Sequence, residues 1–506
     1  MRILFTLFAL AASVFMASAN DYTDVLEVNI NGSISTQTTT TSLNKQTDGT
    51  YSFILKNFIL TLEGQQMGVG TIDISNVVGV PNNGMTTFVA NQIIQIKEGD
   101  IASPSGTWTG PLIGDVPVRL MAELRGDQLY AVINIDMRKT LGQFIAVTFG
   151  NGGYQIPNSG FEAFHEEGTI DEPNHWHSFA SCTGDFASFV SGTPHTFVSS
   201  VIRPGSLGKQ SVLLTSAKVF GITANGTLTT GRMVAGAITA TDPGNHAELD
   251  MGKTAKDSNG DPFYSLMNGQ PDSLAVWVKF KQGTPSTAYP YATVSASVTD
   301  GTYYQEPQDK AYNNVLGSAK YPSIVSKDYQ WQRISVPFSY NNTSLQPRAI
   351  LVTLSTNAAP GQGSIDSLYV DDLGLIYNQD ISVSEMKIKD QPLVLADTMT
   401  YVNNTSLPVT VDDISVNTNS AKIVTTMEQT TNGGIAHVTV ASQDLKTFKT
   451  YTINISGAVT NIGVPLDNAA TAMSIYNLQG QRMDSMHSGQ VYIVRQGNRT
   501  IKVIGR

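Results

Sequence analysis

Between Gly363 and Tyr377 the chain reads "GSIDSLYVDDLGLIY", and its apolar positions change phase halfway. Leu368 and Val370 share one parity; Leu373, Leu375 and Tyr377 share the other. Side chains on a strand alternate between faces, so this pattern predicts a strand whose apolar face switches at Asp371 and Asp372. One extra residue in a β-bulge produces such a switch. Period-two alternation also runs through "TYSFILKNFILTLEG", "PVRLMAELRGDQLYAVINIDM", "DSLAVWVKFK", "WQRISVPFSY", "RAILVTLST" and "TYTINISG". Asn, Gly, Asp and Pro punctuate these runs, as turns require. "RGDQLY" reads as a hairpin turning at Gly126-Asp127, and ordinary turn chemistry explains it better than an integrin motif.

The 506 residues exceed one ordinary domain, and the pattern divides them into four units behind a leader. Residues 20–152 predict an up-and-down β-barrel. Residues 154–378 carry about eight strands joined by Gly/Pro-rich loops, which suits a jelly-roll β-sandwich. Residues 379–464 alternate as an Ig-like β-sandwich does. Residues 470–506 form a short β tail. The expected fold class is all-β throughout.

Composition narrows the class further. Charged residues make up 14% of the chain, with Thr, Ser, Gly and Asn abundant, which favours strands and turns over helices. The net charge of −10 comes with no basic patch, so no nucleic-acid partner is expected. Residues 1–19 read as a signal peptide: Arg2 gives the positive start, Ile3 to Met16 the apolar core, and Ala17-Ser18-Ala19 the cleavage site. A secreted or cell-surface protein starting at Asn20 follows, with no later run long enough to be a transmembrane span. Cys182 is the single cysteine, so no internal disulfide forms.

Three resemblances bear on identity. "DGTYSFILKNFIL", "VGTIDISNV", "TWTGPLIGDVPVRL" and "INIDM" resemble the calycin-like, lipocalin-like domain of exported Bacteroidetes proteins. "GFEAF", "NHWHSF", "DPFYSLMNGQPDSLAVWVKF", "WQRISVPFSY" and "GSIDSLYVDDLGLIY" resemble, in that order, the Bacteroidetes carbohydrate metabolism domain, and more widely the jelly-roll carbohydrate-binding modules. "IYNLQGQRM", "GQVYIV" and "RTIKVIGR" resemble the sorting domain read by the type IX secretion system, which implies an outer-membrane export partner.

Candidate chemistry is sparse. Asp371 and Asp372 admit a locally bonded bulge, a catalytic pair, or a structural calcium site. The jelly-roll resemblance implies the calcium, held by Glu162, Asp371 and Asp372. His165, His175, His177 and His195, with Asp171 or Glu172, could bind a metal or move protons, but a solvated loop without fixed ligand spacing is the reading preferred. Sugar rings stack their C–H faces on aromatic side chains. Tyr303 and Tyr304, in an expected loop, are the candidate carbohydrate contacts; Trp108 is a similar loop candidate in the barrel, where closing the barrel explains it equally well. Trp176 and Phe179 read as strand-entry packing, whereas Trp277 and Trp331, opposite the apolar rows of their strands, suit sandwich packing and a ligand equally. No nucleophile triad, phosphate loop, dinucleotide fingerprint or zinc spacing occurs, and catalytic residues stay unknown. The expected function is glycan binding. The alternatives are a glycoside-active enzyme using acids such as Glu166 or Asp171, and a structural or adhesive surface protein.

Overall fold

In the computed structural model, the described residues are 19–62, 64–82, 84–341, 343–405, 407–459 and four strands with short flanks within 474–504. The leader, except Ala19, lies outside them, as do much of the tail and residues 460–473. The fold is all-β, with a closed eight-stranded barrel followed by sandwiches.

Each barrel strand pairs antiparallel with the next, and the first closes on the last through pairs such as Leu26 with Phe149. A closed barrel has no free edge to recruit a stray strand. Eight strands leave an interior about wide enough for side chains to fill. Leu26, Phe53, Phe88, Leu120 and Phe149 fill it. Asp115–Arg125 and Gln128–Met137 are joined by Gly126 and Asp127 alone, with Gly126 at φ 60.

The middle unit packs two sheets face to face. One runs Thr196–Ser199, Ser211–Thr215, Ser367–Ile376, Ser273–Lys281, Gln332–Pro337. The other runs Thr227–Thr229, Ala349–Ser355, Ala292–Thr299, Val315–Ile324, Ser339–Tyr340, with Ser265–Leu266 also on Ala349–Ser355. Val276, Val278 and Phe280 of the first meet Val294, Val298, Val352 and Leu354 of the second in one core. The bulge is present. Ala275 pairs with Gly374 and Trp277 with Asp371, so Asp372 and Leu373 together oppose Val276. Asp372 takes the left-handed φ of 42. Leu368 and Val370 before it, and Leu373, Leu375 and Tyr377 after it, are all buried. The N–H of Leu373 leaves the ladder and bonds Ser159 O of the opening loop at 2.9 Å.

The third unit is a two-sheet β-sandwich. Gln391–Pro392, Val383–Ile388 and Ile414–Thr418 form one sheet. Thr398–Val402, Phe448–Ser456, Gly433–Ala441 and Lys422–Thr430 form the other, the first pair being parallel. In the tail, Arg482–Met483, Ser474–Asn477, Val491–Gln496 and Arg499–Ile504 make a four-stranded sheet.

The first three units share a seam. Val89, Met121, Tyr130 and Val132 on the outside of the barrel join Tyr154 and Tyr377 of the jelly roll and Val424, Leu445 and Phe448 of the third unit in one buried cluster. At its centre the Lys422 ammonium pairs with Glu123 and donates to Tyr154 Oη at 2.6 Å, while Tyr154 donates to Glu123 Oε2 at 2.5 Å. Tyr130 donates to Asp444 O at 2.7 Å. Burial holds the Lys422 ammonium below its usual pKa and pushes the Tyr154 phenol well above its own.

Candidate functional site: a cavity on the outer face of the jelly roll

Alternation on the second sheet leaves a polar outer face. Ala292, Val294 and Ala296 turn inward while Thr293 and Ser295 turn out; Val352 and Leu354 turn inward while Thr353 and Ser355 turn out. These four hydroxyl side chains, with Asn225, Asn357 and Lys320, form part of the lining of a cavity of about 360 Å³. That volume falls in the range of about 300–1,000 Å³ typical of small-ligand sites.

The opposite wall is apolar and comes from connections. The one-turn helix Ala187–Val190 brings Phe186 and Phe189 to the rim. The hairpin Ala217–Val219 and Ile222–Ala224 brings Phe220. Phe189 and Phe220 meet edge to face at 5.2 Å and are 53% and 68% exposed, so their faces are open to a ligand. Phe220 and Gly221 fill a two-residue turn with φ of 47 and 78. Two positive φ values define the turn type that favours Asn-Gly. A bulky side chain held there costs about 1 kcal/mol or more.

Among the described residues, one carboxylate, Glu306, lines the cavity. Its Oε1 pairs with Lys320 Nζ at 2.7 Å, and its Oε2 accepts from Tyr304 Oη at 2.5 Å. Hydrolysis of a glycoside by paired acids needs a second carboxylate about 5–10 Å away across the bond. The lining provides polar readers and stacking faces, and its single acid is already neutralised.

The sugar contacts expected from sequence need correction. Tyr304 lies on the short strand Tyr304–Glu306 and is fully buried among Met233, Ala247, Leu249, Ala349 and Leu351. No face of its ring is open to stack on a sugar. Tyr303 is half-buried; it donates to Gln305 Oε1 at 2.8 Å and lies under Lys253 Nζ at 5.5 Å. Neither tyrosine lines the cavity. Phe179, read as packing, does line it, whereas Trp176 is fully buried against Phe161. Trp108 is buried in the barrel and donates to Ile101 O at 3.2 Å.

The acids of the opening stretch gather around one loop, residues 203–210. Asp371 is fully buried, and its Oδ2 accepts the backbone N–H of Arg203 at 2.9 Å while Oδ1 has no partner. Burial lifts its pKa to about 6. Asp372 Oδ2 accepts from Arg203 Nε at 2.5 Å and from Ser206 Oγ at 3.1 Å. Glu162, on the surface, accepts the backbone N–H groups of Lys209 and Gln210 at 2.9 and 3.1 Å. The Arg203 guanidinium also covers the Trp277 ring at 5.4 Å.

The histidines do not form a solvated loop. Phe164–Glu167 and Ile170–Pro173 make a hairpin, with His165 facing inward and the exposed Glu166 and Asp171 paired across it. His177 is fully buried and bridges to Thr229, while burial pushes its pKa down to about 3. His175 takes a φ of 66 and pairs with Asp261 at 2.9 Å. His195 is buried with Nδ1 3.0 Å from Thr215 O. Glu172 is buried, and its Oε1 accepts from Ser178 and Ser181.

Comparison with known proteins adds little chemistry. Nothing among curated protein sequences matches the chain. A solved structure from work on the promiscuous specificity of carbohydrate-binding modules of the β-sandwich superfamily aligns over 64% of this chain and 91% of its own, at 8% identity and TM-score 0.20. The M60 catalytic domain with CBM51-1 and CBM51-2 domains from Clostridium perfringens ZmpB aligns at 8% identity, over 96% of this chain and 45% of its own, with TM-score 0.16. The β-1,2-glucanase from Parabacteroides distasonis aligns at 12% identity, over 53% of this chain and 36% of its own, with TM-score 0.17. The chain therefore spans less than half the length of the latter two. Residues 19–152, the closed barrel, match the family model of the calycin-like β-barrel domain.

Proposed function

We propose that the chain is an exported, surface-associated glycan-binding protein whose jelly roll holds a saccharide in the cavity above its second sheet. The observation that carries this reading is the opposition of an open aromatic rim, Phe189 and Phe220, to a floor of hydroxyl and amide side chains. Sugars present both kinds of surface at once: C–H faces to stack and hydroxyls to bond. The lone, ion-paired Glu306 favours capture over hydrolysis. Export rests on the leader and tail motifs of the sequence.

A glycan array followed by calorimetry on the best ligand tests it. Phe189→Ala and Phe220→Asn should each weaken binding about fivefold, since a stacked ring contributes about 1 kcal/mol. Neither should lower the melting temperature, because both rings stand largely in solvent. Absence of any glycan ligand, or affinity indifferent to both substitutions, sinks the reading. Uptake of a fatty acid in place of glycans would assign the apolar wall to a lipid.

Calcium at the bulge is a separate proposal. It is favoured by the partnerless, buried Asp371 Oδ1. Asp371, Asp372 and Glu162 would hold the ion, which would supply positive charge between the first and last strands. Arg203 already supplies that charge to Asp372, so an ion must share this carboxylate with it. Calcium that binds only the folded state raises the melting temperature by mass action, and magnesium substitutes poorly. Asp371→Asn should remove the calcium response. Asp372→Asn should lower the melting temperature at every calcium level, because it frees Arg203. Superimposable melting curves with excess calcium and with a calcium-selective chelator end the proposal.

A further inference from the structure

At the end of the jelly roll where the His-bearing hairpin meets residues 256–262, three polar atoms face one another without a hydrogen bond. They are His165 Nε2, His177 Nδ1 and Asp257 Oδ2. Their side chains are 9%, 0% and 0% exposed. Asp257 Oδ2 lies 3.4 Å from the first nitrogen and 3.6 Å from the second.

The remaining bonds of each group decide what these atoms can be. His177 Nε2 lies 3.3 Å from Pro262 O, a carbonyl that can only accept, so Nε2 carries the proton and Nδ1 presents a lone pair. His165 Nδ1 lies 3.1 Å from Asn174 Oδ1, which likewise leaves Nε2 as a lone pair. Asp257 Oδ1 is taken by the N–H of Asp261 at 2.7 Å. Two ring lone pairs therefore converge on a carboxylate oxygen in a dry place. Buried polar atoms arranged this way are costly unless something positive sits among them.

Metal-bound histidines show this arrangement: one nitrogen on the ion, the other donating to a carbonyl or amide oxygen that fixes the tautomer. Ligand atoms about 2.1 Å from a tetrahedral ion lie about 3.4 Å apart, which is the spacing of His165 Nε2 and Asp257 Oδ2. Asp261 adds a carboxylate within 4.8 Å of the His165 and Asp257 ligand atoms. It is oriented by the tight turn "DSNGDP", with Gly260 at φ 87 and Asn259 Nδ2 donating to Asp261 Oδ2 at 2.9 Å. Glu167 and Glu172 also stand within 4.8 Å of a His165 ring nitrogen, Glu167 Oε2 lying 3.9 Å from Nε2.

We propose that His165, Asp257 and Asp261 bind a divalent transition-metal ion, Zn²⁺ by the chemistry of the donors. An imidazole with two carboxylates suits zinc, whereas calcium and magnesium take oxygen shells. The ion is structural. It joins the hairpin to the 257–261 turn, two pieces distant in sequence. Its ligands are closed off from the cavity residues, so it stands or falls independently of glycan binding.

The test uses the full, tag-free chain, stripped with a strong chelator and returned to metal-free buffer. Zn²⁺ is titrated by calorimetry and Co²⁺ by visible absorption. One ion per chain should bind, with the intense d–d bands of tetrahedral cobalt, and Zn²⁺ should raise the melting temperature by several degrees. Asp257→Asn and His165→Gln should each abolish saturable uptake, while Asp371→Asn should leave it intact. Metal-free Asp257→Asn should melt no lower than metal-free wild type, because its amide can donate where the carboxylate could only repel. No saturable zinc uptake by the wild type overturns the site, and so does uptake unchanged in Asp257→Asn. A metal-free Asp257→Asn protein that melts lower than metal-free wild type also overturns it, since the carboxylate would then stabilise without an ion.

Discussion

Lys422→Met is expected to destabilise the protein by about 3 kcal/mol or more, because it strands the Glu123 carboxylate in the seam between three units. Glu123 is 5% exposed at its side chain and Lys422 19%, so water does little to replace a lost partner. The larger part of the loss is the cost of leaving a charge unpaired, and little of it is the net worth of the pair. The double variant Glu123→Leu with Lys422→Met should therefore recover most of the stability. Tyr154 would then keep its ring contacts with Tyr130 and Tyr377 and lose its hydroxyl partners and the ammonium over its ring. Differential scanning calorimetry is the measurement. A loss of 3 kcal/mol lowers the transition by roughly 6–12 °C for a unit of about 150–250 residues. The barrel and the two sandwiches should shift together, since the seam belongs to all three. A Lys422→Met protein melting within a degree of wild type would show that the pair is solvated in solution.

Tyr304→Ala should cost about 3–5 kcal/mol while leaving glycan affinity per folded molecule unchanged. The ring is fully enclosed, and its removal opens a cavity beneath Met233 and Leu351. Tyr304→Phe keeps the ring and removes the hydroxyl that bonds Glu306 and lies 3.1 Å from Ser297 Oγ, so about 1 kcal/mol is expected. Equilibrium urea unfolding followed by ligand titration of the folded fraction separates the two effects. A fall in affinity at unchanged stability would restore Tyr304 to the ligand and refute its place in the core.

The difference between Tyr303 and Tyr304 shows where local pattern stops being informative. "DGTYYQEP" looks like a loop because its strand is three residues long and ends against Pro307. What makes Tyr304–Glu306 a strand is pairing with Asn245–Leu249, more than fifty residues away. The bulge at Asp371 was legible because its cause is local: a phase change needs only one strand to be seen. The barrel was legible for the same reason, each strand pairing with its neighbour in sequence. The cavity was not, since its floor comes from residues 293–295 and 353–355 and its rim from 186–189 and 220. One signal lay in plain view. In "KVFGIT" a Phe occupies the place before Gly where a two-residue hairpin wants Asn, and no core demands it there. The convergence of His165 and His177 on Asp257 left no trace in spacing, because some eighty residues intervene.

That same hairpin bears on how such a protein could diversify. Phe220 sits at the tip of a two-stranded finger whose ladder holds only Ala217–Val219 against Ile222–Ala224. The sheet beneath it is already complete without the tip residue, so selection can trade one side chain at this position for another without renegotiating the interior. Chains of this architecture could then keep one scaffold and vary the lip, much as a lock cylinder is re-keyed by changing its pins. The strained conformation sets the terms of that exchange: residues that relax the turn give up the surface that grips, and residues that grip must tolerate the turn.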